Sequence, residues 1–136
     1  MIKGLDHIGV AVKDLDASLR LWQDILGLEA SEVETLEEEG LKIAHLQLPG
    51  GVSLELVAPL SSRSVIAKFI AKKGEGLHHL CFEVEDIQRL GKELEQKGKS
   101  FLPGYPRHGS RQTIIAFLHP QAWSGVLVEV MEKKEK

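Results

Sequence analysis

From Leu5 to Val12 the chain alternates. Ile8, Val10 and Val12 fall on one side and His7, Gly9 and Ala11 on the other, the two-residue period of a half-buried β-strand. The period then lengthens. Leu15, Leu19, Trp22 and Leu26 recur at helical spacing behind Asp14, a good N-cap, and Gly27 is a natural stop. After an offset of 72 residues the same succession returns. Leu80, Phe82 and Val84 oppose His79 and Cys81, Asp86 precedes Ile87, Leu90 and Leu94, and Gly98 ends the stretch. Leu5-Asp6-His7-Ile8-Gly9-Val10 and Leu77-His78-His79-Leu80-Cys81-Phe82 are loose copies, so the chain is two copies of one module.

Further strands follow each helix. Leu41 to Leu48 runs into Pro49-Gly50-Gly51 and returns as Val52 to Val57, a hairpin signal. In the second copy Thr113 to Leu118 runs into His119-Pro120 and returns as Gly125 to Met131. A weaker strand is expected near Glu29 to Thr35, and its counterpart near Lys99 to Leu102. Each module therefore reads β-α-β-β-β, and the pair predicts an α+β fold. Two tandem βαβββ modules would form a curved, mostly antiparallel sheet around a cleft, with helices on the outside. Between them, Val65, Ile66, Phe69 and Ile70 behind Ser64 predict a short packed helix that ends at Lys72-Lys73-Gly74. The expected organisation is one domain over residues 1–136. Module one covers about residues 3–59, the connecting helix about 61–74, and module two about 75–132.

Composition narrows the class without naming it. The chain has 136 residues, enough for one domain with a real core, and is 43% apolar and 27% charged. A net charge of −3 gives no basic face for nucleic acid. The single cysteine, Cys81, makes no internal disulfide and suits a reducing cytoplasm. No run approaches the roughly 18 apolar residues that span a bilayer, and Met1-Ile2-Lys3 does not open a signal peptide. Nucleic-acid and membrane partners are therefore not expected, the location expected is cytoplasmic, and Glu132 to Lys136 reads as a solvated end.

Sidedness points to the chemistry. If the bulky aliphatics of each strand pack beneath the helices, His7 and His79 face the other way. So do Glu55, set between Leu54 and Leu56, and Glu129, set between Val128 and Val130. A lone strand histidine or carboxylate is ordinarily a hydrogen-bonded or solvated residue. Recurrence of both types at equivalent points of a duplicated module changes that reading. Two imidazoles and two carboxylates suit a divalent first-row metal and leave coordination positions open. By the same alternation from Ile43, His45 could turn inward, although the strand surface is its expected place.

Several stretches carry a family resemblance that covers nearly the whole chain. They are Leu5-Asp6-His7-Ile8-Gly9-Val10-Ala11-Val12, Leu54-Glu55-Leu56-Val57-Ala58-Pro59-Leu60, Gly74-Glu75-Gly76-Leu77-His78-His79 with the helix before it, and Phe117-Leu118-His119-Pro120 with Leu127-Val128-Glu129. The paired modules resemble the vicinal oxygen chelate superfamily, and these stretches resemble its methylmalonyl-CoA epimerases. The helix running into Gly-Glu-Gly-Leu-His-His is the specific part. The resemblance implies metal ligands at His7, Glu55, His79 and Glu129, with cobalt, manganese, nickel or zinc as the divalent ion. It implies an acyl-CoA substrate, a homodimer, and epimerisation by α-proton abstraction. Glu129 would be the general base and Glu55 the second catalytic group.

Two features depart from the pattern. Some epimerases carry a further glutamate where this chain has Ile43, and the glycine-rich loop before Phe-Leu-His-Pro is here Gly109-Ser110-Arg111-Gln112. Arg107, His108 and Arg111 in that loop could meet CoA phosphates or could simply be solvated. His119 reads as a turn residue, Trp22 as core, Trp123 as a hairpin-tip aromatic, and Cys81 as a small buried residue. The rival functions are a glyoxalase I-type lactoylglutathione lyase, a ring-cleaving dioxygenase, and a non-catalytic small-molecule binding protein of the same fold.

Overall fold

In the computed structural model, which describes residues 1–134, the expected modules are both built. The first comprises β1 (Ile2–Ala11), α1 (Leu15–Leu19), β2 (Glu29–Leu36), β3 (Leu41–Gln47) and β4 (Ser53–Pro59). The connecting helix is α2 (Val65–Lys73). The second module comprises β5 (Gly76–Val84), α3 (Ile87–Gln96), β6 (Arg107–His108), β7 (Thr113–Leu118) and β8 (Val128–Lys133). The solvated end expected from Glu132 begins later than that: Glu132 and Lys133 belong to β8, and Glu132 accepts from the Ile87 amide at 2.8 Å, while positions 135 and 136 lie outside the described residues.

By their contacts the residues fall into two compact units. One runs from His7 to His78, and the other joins Met1–Asp6 to the chain from His79 onward. The first six residues go with the later unit for a local reason. The Met1 amine lies 3.2 Å from the Glu85 carboxylate, the Glu85 amide donates to the Met1 carbonyl, and Lys3 reaches Glu83 at 3.4 Å. In the first unit the strand order is β2-β3-β4-β1, and in the second β5-β8-β7-β6. β1 pairs with β4, and β5 with β8, in parallel, while the four hairpin-type pairings are antiparallel.

The helices begin where their caps were expected. Asp14 and Asp86 accept from the amides of Ala17 and Arg89 at 3.1 and 3.0 Å, and Ser64 accepts from Ala67 at 3.0 Å. Each fills one of the orphan donors of a helix N-terminus. The first helix then departs from expectation. After Leu19 it continues over Arg20–Ile25 in π geometry before closing at Gly27, which has φ +88°. The wider i→i+5 turn shifts the later side chains around the axis. Leu15, Leu19 and Trp22 stay on the core, whereas Leu26, expected on the same stripe, is 64% exposed.

Three apolar clusters set the faces. Val10, Val12, Ala44, Leu46, Leu54, Leu56 and Ala58 gather with Leu15 and Trp22 on the α1 side of the first unit. The alternate residues Ala11, Ile43 and Val57 gather instead with Ile66 of α2, joined by Phe69 and Ile70. α1 and α2 thus cover opposite faces of the same four strands. Ala11, small enough to leave room, has that room filled by α2. Val65, expected on the stripe of α2, points away and is 70% exposed. In the second unit Ile87 and Leu90 of α3 pack on Val84, Ala116 and Val130.

Two strand boundaries differ from expectation. Lys99 to Leu102 makes no strand, and β6 lies instead at Arg107–His108. Pro103-Gly104-Tyr105-Pro106 intervenes, and proline has no amide to give a ladder. β8 begins at Val128 rather than Gly125, because the Gly125 and Val126 amides are used to close the turn onto Pro120 and Trp123.

Candidate functional site

The same strand register recurs in the two modules. Gly9 lies opposite Glu55 across β1 and β4, and Cys81 lies opposite Glu129 across β5 and β8. The histidine stands two residues earlier in each case, on the same face of its strand. Accordingly His7 Nδ1 comes to 3.3 Å from Glu55 Oε2 in the first unit, and His79 Nε2 to 3.3 Å from Glu129 Oε1 in the second. His7, His79 and Glu129 are all under 10% exposed, and Glu55 is half-buried. Each expected histidine therefore has its expected glutamate beside it.

That spacing suits metal ligation as well as direct pairing of imidazole with carboxylate. Good N–H···O hydrogen bonds fall at about 2.7–3.2 Å. Two ligand atoms about 2.1 Å from a common ion, at a tetrahedral or right angle, lie roughly 3.0–3.4 Å apart. Both pairs fall within the second range and at the edge of the first. Imidazole nitrogen with carboxylate oxygen is also a donor set that suits a divalent first-row metal. The residues of both pairs fit such an ion.

A third histidine joins the first pair. His45 of β3 stands directly across from Glu55 of β4. Its Nε2 lies 2.7 Å from Glu34 Oε1 on β2, and its Nδ1 lies 3.6 Å from Glu55 Oε2. A carboxylate accepts, so whichever ring nitrogen carries a proton has a carboxylate facing it, Glu34 at Nε2 and Glu55 at Nδ1. His45 is only 1% exposed, which corrects the expectation that it sits on the strand surface. Flanking strands bury it on both sides. Glu34 was not singled out from the sequence. The available signal was a carboxylate on the strand that neighbours an inward-turned histidine.

Ile43, where some epimerases carry a glutamate, belongs to the apolar cluster beneath α2. His78, the other member of the His-His pair, meets the Phe69 ring edge-on at 4.7 Å between centroids. Burial lowers its pKa below the ordinary histidine value, so it packs in the neutral form. Phe117 stands across from Glu129 and meets His79 edge-on at 6.5 Å. The His119 ring Nδ1 accepts from the Gln121 amide at 3.1 Å, the turn role expected of it. Cys81 is fully buried and Trp22 packs in the core. Arg107, His108 and Arg111 are exposed, with the Arg107 guanidinium 4.5 Å above the Tyr105 ring. Among the described residues no helix is long and apolar enough to cross a membrane.

Comparison with known proteins places these features in a family. Residues 6–117 match the Glyoxalase/Bleomycin resistance protein/Dioxygenase superfamily. The chain is 37% identical over 130 residues to the uncharacterized protein YqjC of Bacillus subtilis, covering 96% of this chain and 92% of that one. It is 36% identical over 132 residues to the ethylmalonyl-CoA/methylmalonyl-CoA epimerase of Cereibacter sphaeroides, covering 96% and 98%. A solved methylmalonyl-CoA epimerase in complex with methylmalonyl-CoA and NH4+ is similar at TM-score 0.89 and 36% identity, over 98% of this chain and 96% of that one.

Proposed function

Because the chain belongs to the glyoxalase/bleomycin resistance protein/dioxygenase superfamily, we propose that it is a metal-dependent epimerase interconverting the (R) and (S) forms of methylmalonyl-CoA. The observation that carries this reading is the histidine–glutamate pair built twice at one register, each at ligand spacing. His7, Glu55, His79 and Glu129 would hold the ion. When bound, it supplies Lewis acidity to the negative charge that develops on the thioester oxygen.

The protein's own task is proton movement. The carbon between a thioester and a carboxylate must lose its proton and regain one on the opposite side. Glu129 is assigned as the base. It stands on a central strand, between β5 and β7, which supports the assignment by limiting its movement, and a positioned base contributes about two to four orders of magnitude in rate. Glu55, at the equivalent register of the other module, is assigned as the group that returns the proton. Ile43, lying in the α2 cluster, leaves that second role to Glu55. The proposed setting is the cytoplasm, with the chain acting as a homodimer, which size-exclusion chromatography with light scattering tests.

The activity test presents methylmalonyl-CoA in deuterated water and follows loss of the α-proton by NMR, with the hemithioacetal of glutathione and methylglyoxal run in parallel. Exchange on the CoA thioester that stops on chelation and returns with cobalt(II) or manganese(II) supports the proposal. Turnover of the glutathione adduct alone would assign the lactoylglutathione lyase reaction instead. Binding of either compound without exchange would assign a sequestering role.

A further inference from the structure

The two modules solve one position differently. Opposite the metal-side glutamate, on the antiparallel neighbour strand, the second module has Phe117 against Glu129 and the first has His45 against Glu55. Strand register makes these equivalent places. A phenyl ring there shows that the fold accepts an apolar aromatic. The first module instead buries an imidazole almost completely and spends a 2.7 Å hydrogen bond to Glu34 on holding it. Buried polar groups are costly unless they are satisfied, so such an arrangement needs a gain to offset it.

The gain lies in orientation. His45 and His7 both address the same atom, Glu55 Oε2, at 3.6 and 3.3 Å. Glu34 fixes the rotation of the His45 ring through Nε2, and the ring's Nδ1 edge then bounds where the Glu55 carboxylate can sit. Glu55 lies near the end of this chain of contacts: Glu34, His45, Glu55, His7. Partners behind a metal ligand ordinarily fix its orientation and its basicity.

Resting on the metal reading above, we propose that His45, anchored by Glu34, is a positioning residue that sets the Glu55 carboxylate for metal ligation. Its role is structural pre-organisation of a ligand, confined to the first module and without an equivalent at Phe117. Losing it should weaken metal binding by about 10- to 100-fold, the range usual for groups behind a ligand.

The test measures metal affinity, independent of catalysis, by titrating cobalt(II) into chelator-stripped protein and following its visible absorption. Three proteins are compared: unaltered, His45→Phe, which copies the second module, and Glu34→Gln, which keeps a hydrogen-bonding partner of nearly the same shape. Expected are a His45→Phe protein that melts cooperatively without metal, binds cobalt(II) about 10- to 100-fold more weakly, and shows an altered cobalt band. Glu34→Gln should shift both in the same direction by a smaller factor. Unchanged affinity and an unchanged band in both variants overturn the proposal. If His45→Phe fails to fold, the Glu34→Gln titration decides alone. The outcomes separate from those of the epimerase reading. Tight cobalt(II) binding that needs His45, in a protein that exchanges no methylmalonyl-CoA proton, supports the positioning role and refutes that substrate. An unaltered protein that takes up no cobalt(II) refutes both.

Discussion

Ile66 is the anchor of α2 on the strand face that carries His45 and Glu55, and its truncation should be costly. The side chain is 2% exposed and packs with Ala11, Ile43 and Val57. Ile66→Ala removes three carbons, about 2.4 kcal/mol at roughly 0.8 kcal/mol per buried methylene. A residual cavity adds to this, and alanine's better helix propensity returns at most about half a kcal/mol. The net loss should be about 3 kcal/mol in urea unfolding followed by far-UV circular dichroism. Val65→Ala, one residue earlier at 70% exposure, is the control and should stay within about 0.5 kcal/mol. Equal losses in the two variants, or a loss below about 1 kcal/mol for Ile66→Ala, would refute the packing of α2 described above.

Two other substitutions probe separate parts of the account. Asp86→Ala removes the carboxylate that accepts from the Arg89 amide at the start of α3, and should cost about 1 kcal/mol in the same unfolding experiment. Glu129→Gln keeps the side chain's shape while removing a base. It should slow α-proton exchange into deuterated solvent by about 100- to 10,000-fold with a native circular dichroism spectrum. Exchange at the unaltered rate would remove Glu129 from the proton transfer.

Much of the architecture was legible because it is written at short range. The alternation of Ile8, Val10 and Val12 against His7 and Gly9 fixes both a strand and its two faces, and the repeat at His79 carries the reading to the second module. Asp14, Ser64 and Asp86 announce their helices because capping depends on residues three apart. The π turn after Leu19 was not legible. Its i→i+5 bonding has no compositional mark, so Leu26 was assigned to a stripe that it leaves. The face covered by α2 was equally hidden, since a helical stripe says that a helix packs and not on which side of a sheet.

The site divides along the same line. His7, Glu55, His79 and Glu129 stood out because a duplicated module repeats them. His45 and Glu34 have no counterpart in the second module, where Phe117 takes the place of His45. Their 2.7 Å contact joins residues 11 apart on neighbouring strands. Only the strand register, with His45 opposite Glu55, brings them into the story. Duplication reveals what two modules share and is silent about what only one of them has.

The central claim is that these histidines and glutamates are metal ligands. Metal analysis by inductively coupled plasma mass spectrometry, after equilibration with cobalt(II) and removal of free ion, tests it most directly. The account predicts one ion per chain in the unaltered protein, and well under one in His7→Ala and in His79→Ala, with both variants still folded. Full cobalt content in both variants, or none in the unaltered protein, would contradict it.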